Sequence, residues 1–120
     1  LEEGSGLSRR ALTTPNSIVR LLIHMARHPR SKEFTSTLTV AGRDGTLGGR
    51  MKGSSAENNL RGKTGSLNGI KALSGYVTNR ARQKFAFSIL LNHHPQSGSA
   101  ARMAIENIAI TIANSNVKID

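Results

Sequence analysis

The sequence predicts an α+β fold, on three observations. An amphipathic helical stripe lies near the N-terminus, three strand-like runs fill residues 60–92, and a second apolar helix closes the chain. Thr13-Thr14-Pro15 supplies a cap and a proline at the first helical turn. Behind it, Ile18, Leu21, Leu22 and Met25 recur at i, i+3, i+4 and i+7, which predicts a helix over 15–28 that Pro29 ends. Leu38-Thr39-Val40 is a short apolar patch, and residues 41–59, with five glycines, read as a Gly/Ser/Asn-rich loop. Leu60 to Ser66 and Ile70 to Thr78 then read as strands joined by Leu67-Asn68-Gly69, and Asn79 to Gln83 turns into a third strand, Lys84 to Asn92. In that strand Phe85, Phe87, Ile89 and Leu91 share one face and Ala86, Ser88 and Leu90 the other, the pattern of a sheet covered on both sides. His93 to Gly98 reads as a solvated loop. From Ser99 onward, Ala101, Ile105, Ile108 and Ile112 form a stripe widened by Met103, Ala104 and Ile110, which predicts a well-buried closing helix.

Composition narrows the function classes. Lys and Arg number 17 against 7 Asp and Glu, a formal charge of +10. At 120 residues one domain fits. Cysteine is absent, which excludes disulfides, thiolate metal sites and thiol catalysis. No apolar run is long enough to span a membrane, and the N-terminus has no signal-peptide core. Its opening, Leu1 to Gly6, reads as the interior of a longer protein, so the expectation is one incomplete segment, 1–120. The positive charge invites a nucleic-acid reading. Its distribution argues against one: 9 basic and 5 acidic groups in residues 1–60, and 8 and 2 in 61–120, leave no basic tail. The four aromatics are Phe34, Tyr76, Phe85 and Phe87, and the last two sit in a core-like alternation rather than on a base-stacking platform.

Two motifs overlap at residue 63. Gly62-Lys63-Thr64 resembles the tail of a phosphate-binding loop, but that loop requires a glycine at position 57, where Glu57 stands, and a helix to follow, where a strand is predicted. Lys63-Thr64-Gly65 fits the strand-borne Lys-Thr-Gly of serine acyl-transfer enzymes. There a fixed cation and a hydroxyl hold a substrate carboxylate, and glycine lets substrate approach the backbone.

The surroundings of that tripeptide carry a resemblance. Leu60-Arg61-Gly62-Lys63-Thr64-Gly65-Ser66-Leu67-Asn68-Gly69-Ile70, followed by Ala72-Leu73-Ser74-Gly75-Tyr76-Val77, resembles the core of class C low-molecular-mass penicillin-binding proteins, the D-Ala-D-Ala carboxypeptidase/endopeptidases of bacterial cell walls. Gly4-Ser5-Gly6-Leu7-Ser8-Arg9 and Ala41-Gly42-Arg43-Asp44-Gly45-Thr46-Leu47 are similar to two further blocks of that family, in the same order and spacing. Glu3 stands where Asp is usual, and Ala11 where Asn is frequent; neither touches the Lys-Thr-Gly strand.

The resemblance implies the C-terminal part of a transpeptidase-like fold, with an antiparallel sheet covered by helices. It implies acyl-enzyme chemistry on peptidoglycan peptides ending in D-Ala-D-Ala, acylation by β-lactams, an extracytoplasmic location, and no metal or cofactor. Lys63 would supply positive potential for the terminal carboxylate and for proton transfer. The Thr64 hydroxyl would bond the terminal carboxylate beside Gly65, and the Ser66 backbone N–H would be an oxyanion donor. The nucleophile's Ser-x-x-Lys and its Ser-x-Asn companion are expected upstream of Leu1. Ser115-Asn116-Val117-Lys118 and Ser66-Leu67-Asn68 match those patterns, but about one match to each arises by chance, and both sit in the wrong context. The family sheet has five strands, two of them N-terminal to this chain. Strand 84–92 would therefore expose an edge that invites self-association, with part of its apolar cover missing.

The remaining candidates have ordinary readings. His24 and His28 stand one helical turn apart without a carboxylate to complete a metal site. Asp44 is expected to bond its own turn, and Ser5 and Ser8 to set a turn rather than act as nucleophiles. Two other functions remain as alternatives: a basic nucleic-acid module, with binding that collapses in salt, and a non-catalytic wall-binding domain of the same fold.

Overall fold

Helix α1 (Pro15–Ala26) opens on the proline, whose missing N–H is one the first turn leaves unbonded anyway. The computed structural model describes residues 15–67 and 69–118, so the Thr13-Thr14 cap, the block around Gly4–Arg9, Ala11 and Asn68 lie outside the described residues. Leu22 is the residue of α1 that is fully buried; Ile18 and Met25 are half-buried, and Leu21, expected on the inner stripe, is exposed. The chain then tightens into single turns, Arg27 N donating to His24 O and His28 N to Met25 O, before a short helix α2 (Ser31–Ser36) that the sequence did not announce. Its apolar content is Phe34, too little for a helical period. Side chains close its end, with the Ser36 hydroxyl donating to Glu33 O and the Thr37 hydroxyl to Phe34 O.

Among the described residues the sheet has four strands rather than three: β1 (Thr39–Val40), β2 (Arg61–Leu67), β3 (Ile70–Thr78) and β4 (Lys84–Asn92), antiparallel and in the order β1-β2-β3-β4. The added strand, β1, grows from the Leu38–Val40 patch and pairs Thr39 with Gly62 and Val40 with Arg61. Where β2 meets β3, Gly62 faces Gly75. A Cβ on Gly75 would overlap the Arg61 carbonyl, and one on Gly62 would stand 2.8 Å from Ser74 O, so the two backbones meet as closely as they do only because both are glycine.

The core lies between the sheet and helix α3 (Gly98–Asn114). Leu73, Val77 and Phe87 point into it from the strands, with Phe85, Ile89 and Leu91 packed at its margin. Residues 41–59, read as a Gly/Ser/Asn-rich loop, are instead folded onto the core: Ala41, Leu47, Met51 and Ala56 are all buried, as is Leu60 after them. Their backbone is satisfied locally, Ala41 N donating to Leu60 O and Asn58 N to Ala41 O, around a single 3-10 turn at Gly45–Leu47. Each such leucine contributes about 1.5–3 kcal/mol of burial.

Helix α3 corrects the expected stripe. Its buried residues are Ala101, Ile105, Ala109 and Ala113, while Ile108 and Met103 are 46% and 61% exposed and Ala104 is also exposed. An i, i+4 line drifts about 40° around the helix at each step, so it leaves Ile108 at its margin. The small alanines let the helix lie close to the sheet. On the opposite face, α1 covers β3 and β4, and the Tyr76 hydroxyl donates to Leu22 O at 2.5 Å. Asn79, 5% exposed, binds the β3–β4 turn to the segment after α3: its Oδ1 accepts from Gln83 N and its Nδ2 donates to Ser115 Oγ and Val117 O. Among the described residues no helix is long and apolar enough to cross a membrane.

Candidate functional site

Strand β1 is two residues long, so it covers only Arg61 and Gly62 of β2 and leaves the outer edge of Lys63–Leu67 without a partner strand among the described residues. Which backbone groups face that edge follows from alternation: in an antiparallel strand the N–H and C=O of one residue point the same way, and those of the next point oppositely. Leu60 O accepts from Ala41 N, and Gly62 O accepts from the Thr39 hydroxyl, so both carbonyls point to the β1 side. Two and four residues on, Thr64 and Ser66 therefore turn their N–H and C=O groups into the open edge. The Lys63 ammonium folds over that edge and donates to Thr64 O at 2.9 Å.

Side chains sort by the same period. Thr64 faces Leu73 and Ser66 faces Lys71, on the α3 side of the sheet. Lys63 faces Ser74 and Gly65 faces Ala72, on the α1 side. The four predicted site residues thus share one edge but divide between two faces. Thr64, Gly65 and Ser66 border a cleft of about 190 Å³ between β2, the Gly45–Leu47 turn and α3; Lys63 stands outside it.

The cleft is polar and cationic. Thr46 and Thr64 meet hydroxyl to hydroxyl at 3.3 Å, and Lys71 Nζ lies 3.4 Å from Ser66 Oγ. Arg50 donates from Nε to Glu106 Oε2 at 2.6 Å with both side chains over four-fifths buried, and Arg102 approaches the same oxygen at 3.7 Å. That ion pair ties the 41–60 segment to α3 across the site. Thr46, Arg50, Lys71 and Arg102 were not singled out as site residues, because they come from three separate elements. Two signals were nevertheless present: Thr46 lies within the Ala41–Leu47 block, and Lys71 falls opposite Ser66 once the two strands are paired. Gly45 holds the turn that carries Thr46 at a positive φ of 58°, where a Cβ would run into the Thr39 side chain.

Other candidates resolve locally. Asp44 Oδ1 accepts from Val40 N at 2.8 Å, the turn-bonding role expected of it. His28 Nδ1 accepts from Arg30 N, and the His24 and His28 rings stand 6.0 Å apart. The 93–98 segment is more structured than a solvated loop: His94 caps a 3-10 turn at Pro95–Ser97, and His93 is half-buried, with its Nε2 out of contact with solvent. Ser115 Oγ donates to Ile112 O and accepts from Asn79, a helix-end role. The larger cavity, about 500 Å³ between α1 and β4, is bordered by Ile23, Ala26, Tyr76 and Phe85 and contains none of the predicted residues.

Comparison with known proteins shows the family and the fold of the chain. The model of the D-Ala-D-Ala carboxypeptidase 3 (S13) family matches residues 1–112. A D-alanyl-D-alanine carboxypeptidase of Actinomadura sp. (strain R39) is 40% identical over 118 residues, 94% of this chain and 21% of that protein. The D-alanyl-D-alanine carboxypeptidase DacB of Haemophilus influenzae is 36% identical over 94 residues, 77% of this chain and 20% of that protein. Among solved structures, penicillin-binding protein 4 of H. influenzae complexed with a β-lactam superposes with a TM-score of 0.79 at 28% identity, covering 94% of this chain and 28% of that one. The chain spans about a fifth of the length of the curated relatives it matches.

Proposed function

We propose, since the chain belongs to the D-Ala-D-Ala carboxypeptidase 3 (S13) family, that β2 is the substrate strand of a serine-type D-Ala-D-Ala carboxypeptidase or endopeptidase whose nucleophile another part of the protein supplies. The substrates are peptidoglycan stem peptides ending in D-Ala-D-Ala. β-Lactams acylate the same centre, and the enzyme works outside the cytoplasm, where its polymer lies. The observation that carries this reading is the open edge at Lys63–Leu67, with the Ser66 N–H directed into it.

An extended peptide laid along that edge meets three groups. The Ser66 N–H donates to the carbonyl oxygen, and its contribution grows as that oxygen gains charge in the tetrahedral intermediate. The Thr64 hydroxyl donates to the terminal carboxylate. Lys63, on the α1 face, provides a fixed positive potential and a proton path to the leaving group. The basic surface then serves an anionic wall polymer rather than nucleic acid.

In the full-length enzyme, Lys63→Ala is expected to slow penicillin acylation and D-Ala-D-Ala peptide turnover by 10²–10³, about 2.7–4 kcal/mol of transition-state stabilisation. Thr64→Val, which removes one hydroxyl, is expected to do less. Stopped-flow acylation rates measure both, and a wild-type rate in Lys63→Ala overturns the assignment.

A further inference from the structure

We infer that Lys71, on β3, is a carboxylate-binding residue of this site, reaching the substrate's terminal carboxylate through the cleft on the α3 face, with Arg102 as its partner. The inference rests on β2 being the substrate strand and adds to it the group that recognises the carboxylate from behind. Strand register sets Lys71 opposite Ser66, and the ammonium lies 3.4 Å from Ser66 Oγ. Its stem runs beside the start of α3, where a Cβ on Gly98 would lie 3.6 Å from Lys71 Cε. Lys71 is thus half-buried and held in place rather than free in solvent.

Charge makes the case. Arg50, Lys71 and Arg102 bring three positive charges to the cleft, and Glu106 brings one negative. Glu106 is committed to Arg50 at 2.6 Å and holds Arg102 only at 3.7 Å. Among the described residues no carboxylate pairs with Lys71, whose contact is a neutral hydroxyl. The cleft therefore carries two positive charges in excess, beside the hydroxyls of Thr46, Thr64 and Ser66. A ligand with one carboxylate gains charge-assisted hydrogen bonds there that a neutral ligand does not. Lys63 points to the opposite face, so its charge and that of Lys71 approach the strand from two sides and take different work: Lys63 toward the reacting centre, Lys71 toward the terminus of the peptide.

The test is the ligand's charge. In the full-length enzyme, Lys71→Met is expected to lower kcat/KM for a D-Ala-D-Ala peptide with a free terminal carboxylate about tenfold, the loss falling in KM. The same peptide as its C-terminal methyl ester is expected to react at the wild-type rate, and Lys71→Arg to restore the free acid. Lys71→Gln serves as a second neutral variant should Lys71→Met fold poorly. Equal losses on acid and ester, or no loss on either, overturn the inference. Lys63→Ala measured in parallel separates the two readings: if Lys63→Ala is slow on both substrates while Lys71→Met matches wild type, the substrate strand stands and the carboxylate role of Lys71 falls.

Discussion

Tyr76 joins the two layers of the molecule through one side chain. It is 3% exposed, its hydroxyl donates to Leu22 O in α1, and the Lys84 ammonium sits 4.6 Å from the ring centre. Burial raises its phenol above the ordinary value of 10.0. The folded state then keeps a proton that the unfolded chain gives up, so this contribution to stability is complete below about pH 10 and is lost as pH rises through the folded pKa. Urea midpoints of wild type and Tyr76→Phe should therefore converge as pH rises above about 10. At pH 7 the variant should be less stable by about 1 kcal/mol, the worth of one hydrogen bond. Parallel pH curves would show that the phenol does not titrate with unfolding.

At the scale of elements, legibility followed the range of the interactions involved. Strands Ile70–Thr78 and Lys84–Asn92 appear in the structure with the bounds read from sequence, because their apolar residues run up to the polar Asn79–Gln83 turn. Strand β1 is two residues long and exists by pairing with Arg61 and Gly62, more than twenty positions away, which no local pattern records. Helix α3 is legible in part: Ala101, Ile105, Ile110 and Ile112 reach the core as expected, Ile108 and Met103 do not, and Ala109 and Ala113 make close contacts that the isoleucine pattern did not mark. The site divides in the same way. Lys63, Thr64, Gly65 and Ser66 were legible because they are contiguous and resemble a known block, from which the roles proposed for them come. Arg50 and Arg102 are brought to the same cleft only by the packing of α3 against the 41–60 segment, fastened by the Arg50–Glu106 pair.

For the whole molecule, the sheet ends on one side at β4, whose outer edge meets no further strand among the described residues. Of its apolar side chains Phe87 is buried, while Phe85, Ile89 and Leu91 pack against the core and stay only partly buried, so backbone and some apolar surface remain open along this strand. Unpaired N–H and C=O groups template association, and the 120 residues by themselves are expected to run above monomer mass in light scattering. The same chain incubated with penicillin is expected to show no penicilloyl adduct by mass spectrometry; a stoichiometric adduct on any of its serines would relocate the nucleophile. The claim beneath all of this is that the outer edge of β2 receives the substrate through the Ser66 N–H, a backbone group that no substitution but proline removes. Residue-resolved amide hydrogen exchange on the full-length enzyme, before and after penicillin acylation, tests it most directly. Acylation should slow exchange at Ser66 and leave the inward amides of Lys63 and Gly65, already bonded to β3, unchanged. Fast exchange at Ser66 in the fully acylated enzyme would contradict the account.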